Sequence, residues 1–251
     1  MTFRKYPLNL RFLEEYIRDY LEPCSYGTLS NVAANLDQSI RHHGRRKTPL
    51  QWSITIPKEH PLKFKLSDEC GYILHVDLFC RIQGEVEPRR FDDVTFKLYS
   101  AVFRIWSHDK DISYRSEWDS DGKLKQKLSN QKWKRVVKRF HIDLRDENTR
   151  FPEPLYHLHF GGIAEDDEHF WVPNNIGEPR FHYFPMDIIL SCEFILMNFF
   201  PAESRNLREK PEWKSLVGKS QDLYLKPYVQ RLSAHLNNND DTLLGHLTQS
   251  V

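Results

Sequence analysis

The segment from Pro185 to Phe200 is apolar on almost every side of the helix that it predicts. It reads PMDIILSCEFILMNFF, and its polar residues are Asp187, Ser191, Glu193 and Asn198. A helix without a polar face has to be covered by other elements of the fold. The rest of the chain must therefore supply an apolar surface, and any of the four polar residues that is buried needs a partner.

Apolar residues alternate with polar ones over much of the preceding sequence, which is typical of half-buried strands. The alternation predicts strands over 50–56, 72–82, 94–106, 135–144 and 156–160. The third of these is apolar on both faces apart from Lys97 and Arg104, as expected of a central strand. In 72–82 the second face mixes polar and apolar residues, so we expect it to meet a polar cleft.

Helical spacing appears at both ends of the chain. It predicts a helix from Pro7 to Leu21 and a second one that begins near Ser30 and is capped by Gly44. Further helical segments follow Trp213, with Pro227 as a break. We therefore predict a single α+β domain over 1–251. Its parts are a helical region in 1–48, a central, mostly antiparallel sheet in 49–162, and a loop and C-terminal helices in 163–251, with the buried helix on one sheet face.

Composition and charge exclude several classes of protein. The 251 residues are 39% hydrophobic, enough for one large core, and the net charge of +1 gives no overall field that would attract nucleic acid or anionic lipid. The four cysteines are far apart and form no CxxC pair, which predicts a reduced, cytoplasmic chain without a cysteine zinc site. No segment has the unbroken apolar length of a membrane span or a signal peptide, so we expect no membrane partner.

A basic stretch lies between Gly122 and Ile142 and contains no acidic residue. Such a row attracts a phosphate backbone, and an aromatic residue within it can stack on a base. The candidate nucleic-acid-binding residues are Lys125, Lys127, Trp133, Lys134, Arg135 and Arg139. The alternative is an edge hairpin whose lysines prevent aggregation between strands.

Polar residues also alternate along the last two predicted strands. Period two places Arg139, His141 and Asp143 on one face of the first strand, and His157 and His159 on one face of the second. Consecutive strands usually pair, so we expect these five residues on one sheet face. Arg180 and His182 follow on the returning loop, and Asp187 lies in the first turn of the next helix.

Three interpretations of this polar cluster are open. A His-x-His pair on a strand with a nearby Asp suits a zinc-like metal. Histidine with Asp and Arg, without metal, suits acid–base catalysis on a phosphodiester. The residues can also be structural. Our candidate catalytic residues are His141, His157, His159, Arg180 and Asp187, and we expect neither a metal nor a cofactor.

The C-terminal part of this region follows a pattern of its own. The strand end YHLHFGG, the return PRFHYFP and the helix EFILMNFF resemble, in this order, the C-terminal signature of a bacterial family known only as a domain of unknown function. The likeness spans residues 151–201, and the matching positions are His157, Gly161, Arg180 and Asn198. It implies a prokaryotic origin and a defence or mobile-element context, and it implies no activity.

Two functional hypotheses follow. In the first, the chain acts on RNA or DNA as a ribonuclease-like effector, with a histidine as acid or base and with Arg139 and Arg180 holding phosphate. In the second, it is a non-catalytic accessory subunit whose polar face and basic stretch bind a protein partner.

Overall fold

The structure is a computed structural model, and it describes residues 3–43, 48–67, 72–87, 94–109, 114–118, 124–128, 134–144, 155–160 and 181–237. The helices are α1 Tyr6–Ile17, α2 Thr28–His43, α3 Ile188–Phe199, α4 Arg205–Glu209, α5 Pro211–Ser220 and α6 Lys226–Asn237. The strands are β1 Leu50–Ile56, β2 Leu62–Ser67, β3 Tyr72–Val86, β4 Val94–Asp109, β5 Tyr114–Trp118, β6 Leu124–Leu128, β7 Lys134–Leu144, β8 Tyr156–Phe160 and β9 Phe181–His182.

Seven of these strands form one antiparallel sheet. Six of them follow the order β1-β3-β4-β7-β8-β9, and the seventh, β2, pairs with β3. Strand β3 is long enough to pair with two neighbours on the same side. Its first half pairs with β2, and its second half pairs with β1. Strands β5 and β6 form a separate two-stranded ladder. The predicted α+β fold with a central antiparallel sheet is confirmed.

The helices cover one face of the sheet and create the core there. On α3, Phe194 packs against Phe103 of β4 and Phe140 of β7, with ring centroids 5.1 and 6.1 Å apart. At the other end of the sheet, Phe3 packs against Trp52 of β1 at 4.9 Å. Burial of these large aromatic side chains is the main stabilising term on this face.

Gly84 marks the closest approach within this layer. The register between β3 and β4 shifts beside it, and a Cβ atom there would lie 2.3 Å from the Thr95 carbonyl oxygen and 2.6 Å from the Trp52 ring. The absence of a side chain at this position therefore leaves room for the Trp52 ring.

The predicted helix from Pro185 to Phe200 is shorter than its apolar sequence. It begins after Asp187, whose carboxylate accepts a hydrogen bond from the Leu190 amide at 2.8 Å. Its last turn is not enclosed, because Met197 remains 50% exposed. The expectation that it is covered on all sides is therefore wrong at its C-terminal end.

Glu193 on this helix has the partners that its position requires. The Trp213 indole donates to one carboxylate oxygen at 2.7 Å, and Arg208 donates to the other at 3.0 Å. These bonds tie α3 to the C-terminal helices. Asn198 is exposed and needs no buried partner.

Other boundaries also differ from the sequence predictions. Strand β2 is additional, and the predicted break at Pro227 is instead the first turn of α6, preceded by a π-helical turn over Gln221–Leu225. Proline is compatible with a first turn because its missing amide would have no partner there. Gly44, the expected cap of α2, lies outside the described residues. None of the helices in the described ranges is both long and apolar enough to cross a membrane.

Candidate functional site

The face of the sheet opposite the helices carries polar side chains in rows that run across the strands. Antiparallel pairing aligns Asp77, Arg104 and Arg139 in one row. The neighbouring row contains His141 opposite His159. The third row contains Ser100, Asp143, His157 and His182. We call these residues the polar face. The predicted gathering of residues 139, 141, 143, 157 and 159 on one sheet face is thus what the register shows.

His159 is the centre of the closest contacts on the polar face. Its Nε2 lies 2.8 Å from Oδ2 of Asp143, on the neighbouring strand. Its ring also stacks on that of His141, with centroids 4.7 Å apart and planes 22° apart. His159 is therefore fixed by a carboxylate on one side and an imidazole on the other, and all three side chains keep some exposure.

Asp143 is held in its charged form. Burial by itself would raise the pKa of its carboxyl, but hydrogen bonds from His159 and Ser100 and the charges of His141 and His159 outweigh burial and lower the pKa. A carboxylate that stays ionised orients a neighbouring imidazole and stabilises its protonated form.

The row beside these residues contains a buried ion pair. Arg104 donates to Asp77 at 3.0 Å, and the two side chains are only 11% and 3% exposed. The Arg104 guanidinium also lies over the Phe79 ring at 5.3 Å. Arg139 is aligned with Arg104 on the next strand and is partly exposed.

His157 and His159 lie on the same face of β8 by alternation, but they differ in their exposure to solvent. It is only 4% exposed, and its ring centroid lies 5.7 Å from that of His159. Its opposite residue on β9, His182, pairs with the Tyr228 hydroxyl of α6, and burial lowers the pKa of His182. Of the two histidines on β8, His159 is therefore the one that solvent reaches more easily.

Asp187 does not join the polar face, contrary to its grouping with the candidate catalytic residues. It is 1% exposed and caps α3 within the helix-side core. The neighbouring groups whose interactions reach it are Tyr6, Tyr99, Tyr224, Cys80 and Cys192. A carboxylate with a structural role at a helix N-terminus fits this placement better than a catalytic one.

The candidate nucleic-acid-binding residues do not share one hairpin. Lys125 and Lys127 lie on β6, opposite Glu117 and Arg115 of β5. Lys134 and Arg135 begin β7, where they pair with β4, and the pairing of β7 with β8 covers only 140–144. The alternative of a basic edge hairpin therefore stays a prediction. Trp133 and Arg180 lie outside the described residues. Of the basic set, Arg139 belongs to the polar face as defined above.

Sequence reasoning left out the pair formed by Asp77 and Arg104. A signal for it was present, because Arg104 is one of two charged residues in an otherwise apolar central strand, and Asp77 lies on the mixed face of β3. Neither residue indicates its partner by spacing. The register between β3 and β4 places them side by side.

Three side chains on the polar face offer ligand atoms to a metal. One atom each from His141, Asp143 and His159 can be chosen so that all lie within 4.8 Å of one another. The interpretations left open by the sequence, acid–base chemistry and metal binding, therefore involve the same three residues.

Comparisons of the chain with protein-family models, with curated proteins and with solved structures find no match. The likeness of residues 151–201 to a bacterial family stays a prediction. Any function must therefore be argued from the polar face itself.

Proposed function

We propose that the chain is a nucleic-acid-acting protein that cleaves RNA on its polar face. The observation that supports this most is the arrangement of His159, oriented by the Asp143 carboxylate at 2.8 Å and stacked on His141 at 4.7 Å. Two imidazoles side by side can act as a base and an acid in one reaction, because imidazole exchanges protons near neutral pH.

The reaction that suits two imidazoles is transfer of the phosphodiester to the neighbouring 2′-hydroxyl. One imidazole removes the 2′-hydroxyl proton, and the 2′-oxygen forms a bond to phosphorus. The bond from phosphorus to the 5′-oxygen breaks, and the second imidazole gives that oxygen a proton. The products are a 2′,3′-cyclic phosphate and a 5′-hydroxyl, so no oxidant or co-substrate is needed.

Positive charge for the phosphate is available on the same face. Arg139 lies in the row next to His141 and is partly exposed. A guanidinium is well suited to phosphate oxygens because it presents two parallel N–H groups. In this proposal Arg139 holds the phosphate, and Lys125, Lys127, Lys134 and Arg135 add attraction for the rest of the strand.

The test is cleavage of an end-labelled single-stranded RNA by the purified chain in the presence of a chelator, with a DNA of the same sequence beside it. We expect cleavage of RNA alone, because DNA lacks the 2′-hydroxyl. His159→Gln should lose about 100-fold or more of the rate, as removal of a general acid or base does. His75→Gln is the matched control, since His75 lies on the same sheet face as His159 but three strands away, on β3.

Uncut RNA would contradict the proposal, and so would His159→Gln that cuts at the wild-type rate. The chemical nature of the ends gives an independent check. A 5′-phosphate product would show that the 2′-hydroxyl is not the nucleophile.

A second candidate is an accessory subunit that binds a protein, and exposed aromatic side chains favour it. Phe160, Phe181 and Phe184 are 53%, 51% and 43% exposed near the β8–β9 edge of the sheet, and Phe160 contacts Phe181 at 6.3 Å. Clustered exposed aromatics are typical of interaction surfaces. In this case Phe181→Ser should remove complex formation, while His159→Gln should leave it intact.

A further inference from the structure

Two imidazoles and one carboxylate meet on adjacent strands of the polar face, and this set has a second chemical use. His141 and Asp143 are two residues apart on β7, and His159 lies directly opposite His141 on β8. Side chains two residues apart on a strand project from the same face, and a cross-strand partner projects beside them. The backbone therefore holds the three ligands in position before any ion binds.

The distances agree with an ion of small radius. Nε2 of His159 and Oδ2 of Asp143 are 2.8 Å apart, and the three ligand atoms lie within 4.8 Å of one another. Zinc binds nitrogen and oxygen at about 2.0–2.2 Å, which places tetrahedral ligands roughly 3.4 Å apart.

We infer that His141, Asp143 and His159 bind one divalent transition-metal ion of the zinc class. The ligand set decides the class: imidazole nitrogen favours zinc and its neighbours in the first transition row, whereas calcium and magnesium favour sites made wholly of oxygen. Three protein ligands leave at least one position on a tetrahedral ion for water or another small molecule.

Burial and charge around the three residues are compatible with an ion. Asp143 and His159 side chains are 22% and 15% exposed, so solvent can reach them while most of their surface is packed. A charged Asp143 reduces the repulsion that a cation meets from Arg139 in the adjoining row. Ser100 supports Asp143 by a hydrogen bond, as groups behind a ligand commonly do.

An ion bound to these three residues would also regulate the proposed RNA cleavage. An ion on Nε2 of His159 fixes the proton of that ring on Nδ1, so the ring can no longer accept a proton there as a base must. Metal binding and the proposed RNA cleavage therefore exclude each other, and the ion inhibits the reaction. This inhibition rests on the proposed function, whereas the metal binding does not.

The experiment measures binding of Co²⁺ and Zn²⁺ to the tag-free, chelator-treated chain. Co²⁺ is the probe, because it gives strong visible absorption when it has tetrahedral ligands. We expect saturation at one ion per chain, loss of the signal on adding Zn²⁺, and no loss on adding Mg²⁺. Zn²⁺ should also raise the unfolding temperature of the chain, since it binds the folded state.

Three variants identify the ligands. His141→Gln, Asp143→Asn and His159→Gln keep the approximate size of each side chain and should each weaken Co²⁺ binding by at least about tenfold. His75→Gln should bind as the wild type does, because it removes an imidazole from the same face without touching the three ligands. Unfolding temperatures measured without metal show whether each variant is folded.

Absence of saturable binding in the wild-type chain would overturn the inference, and so would wild-type affinity in all three folded variants. RNA cleavage is measured separately with and without one equivalent of Zn²⁺. Binding without any cleavage by the metal-free chain would refute the proposed function and leave the metal site standing. Cleavage that Zn²⁺ does not inhibit would refute the regulatory part.

Discussion

The two faces of the main sheet keep very different side chains away from water. On the helix side, Phe103 and Phe140 pack against Phe194 of α3, and burial of apolar surface stabilises the contact without directional requirements. On the polar face, Asp77 and Arg104 are nearly as inaccessible, yet each depends on the other for compensation of its charge. A residue of the core can therefore be exchanged for one of similar volume, whereas one charge of this buried ion pair can be removed at low cost only together with the other.

This comparison predicts how the ion pair responds to mutation, and it is the largest effect we expect. Arg104→Met removes the compensation for a buried carboxylate and should lower the free energy of unfolding by about 3 kcal/mol. The double variant Asp77→Leu with Arg104→Met removes both charges and should recover most of that loss. Urea unfolding of the wild type, both single variants and the double variant measures the coupling.

A double variant as unstable as the worse of the single ones would contradict this difference between the two faces. It would mean that the polar face is stabilised by the shape of its side chains, as the helix face is. The matched change on the helix side is Leu78→Met, which conserves volume and should cost less than about 1.5 kcal/mol.

On the helix side of the sheet, tight packing matters most at Gly84. Gly84→Ala places a Cβ atom 2.3 Å from the backbone oxygen of Thr95, so the strands have to move apart beside Trp52. We expect a loss of about 2 kcal/mol, as is usual for overpacking. Gly218→Ala is the matched control, because nothing lies within 4 Å of the added atom and alanine favours a helix.

If this is correct, the two glycine variants should differ in the direction in which they shift the melting temperature. Gly84→Ala should melt below the wild type, and Gly218→Ala should melt at or above it. Equal melting temperatures would show that the Trp52 contact yields easily.

The smallest expected effect concerns Asp187, the carboxylate buried in the helix-side core. Burial raises its pKa above the ordinary value, although the hydroxyls of Ser220 and Tyr6 and the Leu190 amide act against the rise. Among the described residues, only the Leu190 amide reaches hydrogen-bond geometry with it. The folded chain therefore holds a proton at pH values where the unfolded chain has lost it.

The sign of the pH dependence follows from this. The contribution of Asp187 is fully present below the unfolded pKa of about 4 and is lost as pH rises through the raised folded value. Asp187→Asn cannot ionise and still caps α3, so its stability relative to the wild type should increase over that pH range. Asp187→Ala loses the cap at every pH and should be less stable than Asp187→Asn by about 1 kcal/mol. A relative stability of Asp187→Asn that does not change with pH would contradict the raised pKa.

Much of the sheet was predictable from alternation alone. Strands β1 and β8 have the predicted ends, and β3, β4 and β7 contain the predicted segments. Alternation fixes which residues share a face of one strand, so the grouping of Arg139 with His141 and Asp143 was determined locally. Strand β2 was not predicted, although its Leu62, Phe64 and Leu66 alternate with lysines.

Helix termini show where local sequence is insufficient. Ser30 is a reasonable cap by residue type, but α2 begins at Thr28, and its first amides are bound by Glu14 from α1. The Glu14 carboxylate accepts from the Gly27 and Ser30 amides, so the cap comes from a residue far away in sequence. Gly27 has a φ of +84°, a conformation that glycine adopts readily.

The candidate site divides along the same line. Local alternation was enough to predict that imidazoles, a carboxylate and a guanidinium lie on one face of two strands, because side chains alternate with a period of two. The contacts of His159 with Asp143 and His141 became visible in the tertiary structure alone. The same is true of the burial of His157 and of the position of Asp187 on the opposite side of the sheet. Those outcomes depend on strand register and helix packing, which arise from contacts between residues distant in the chain and therefore leave no local periodic signal.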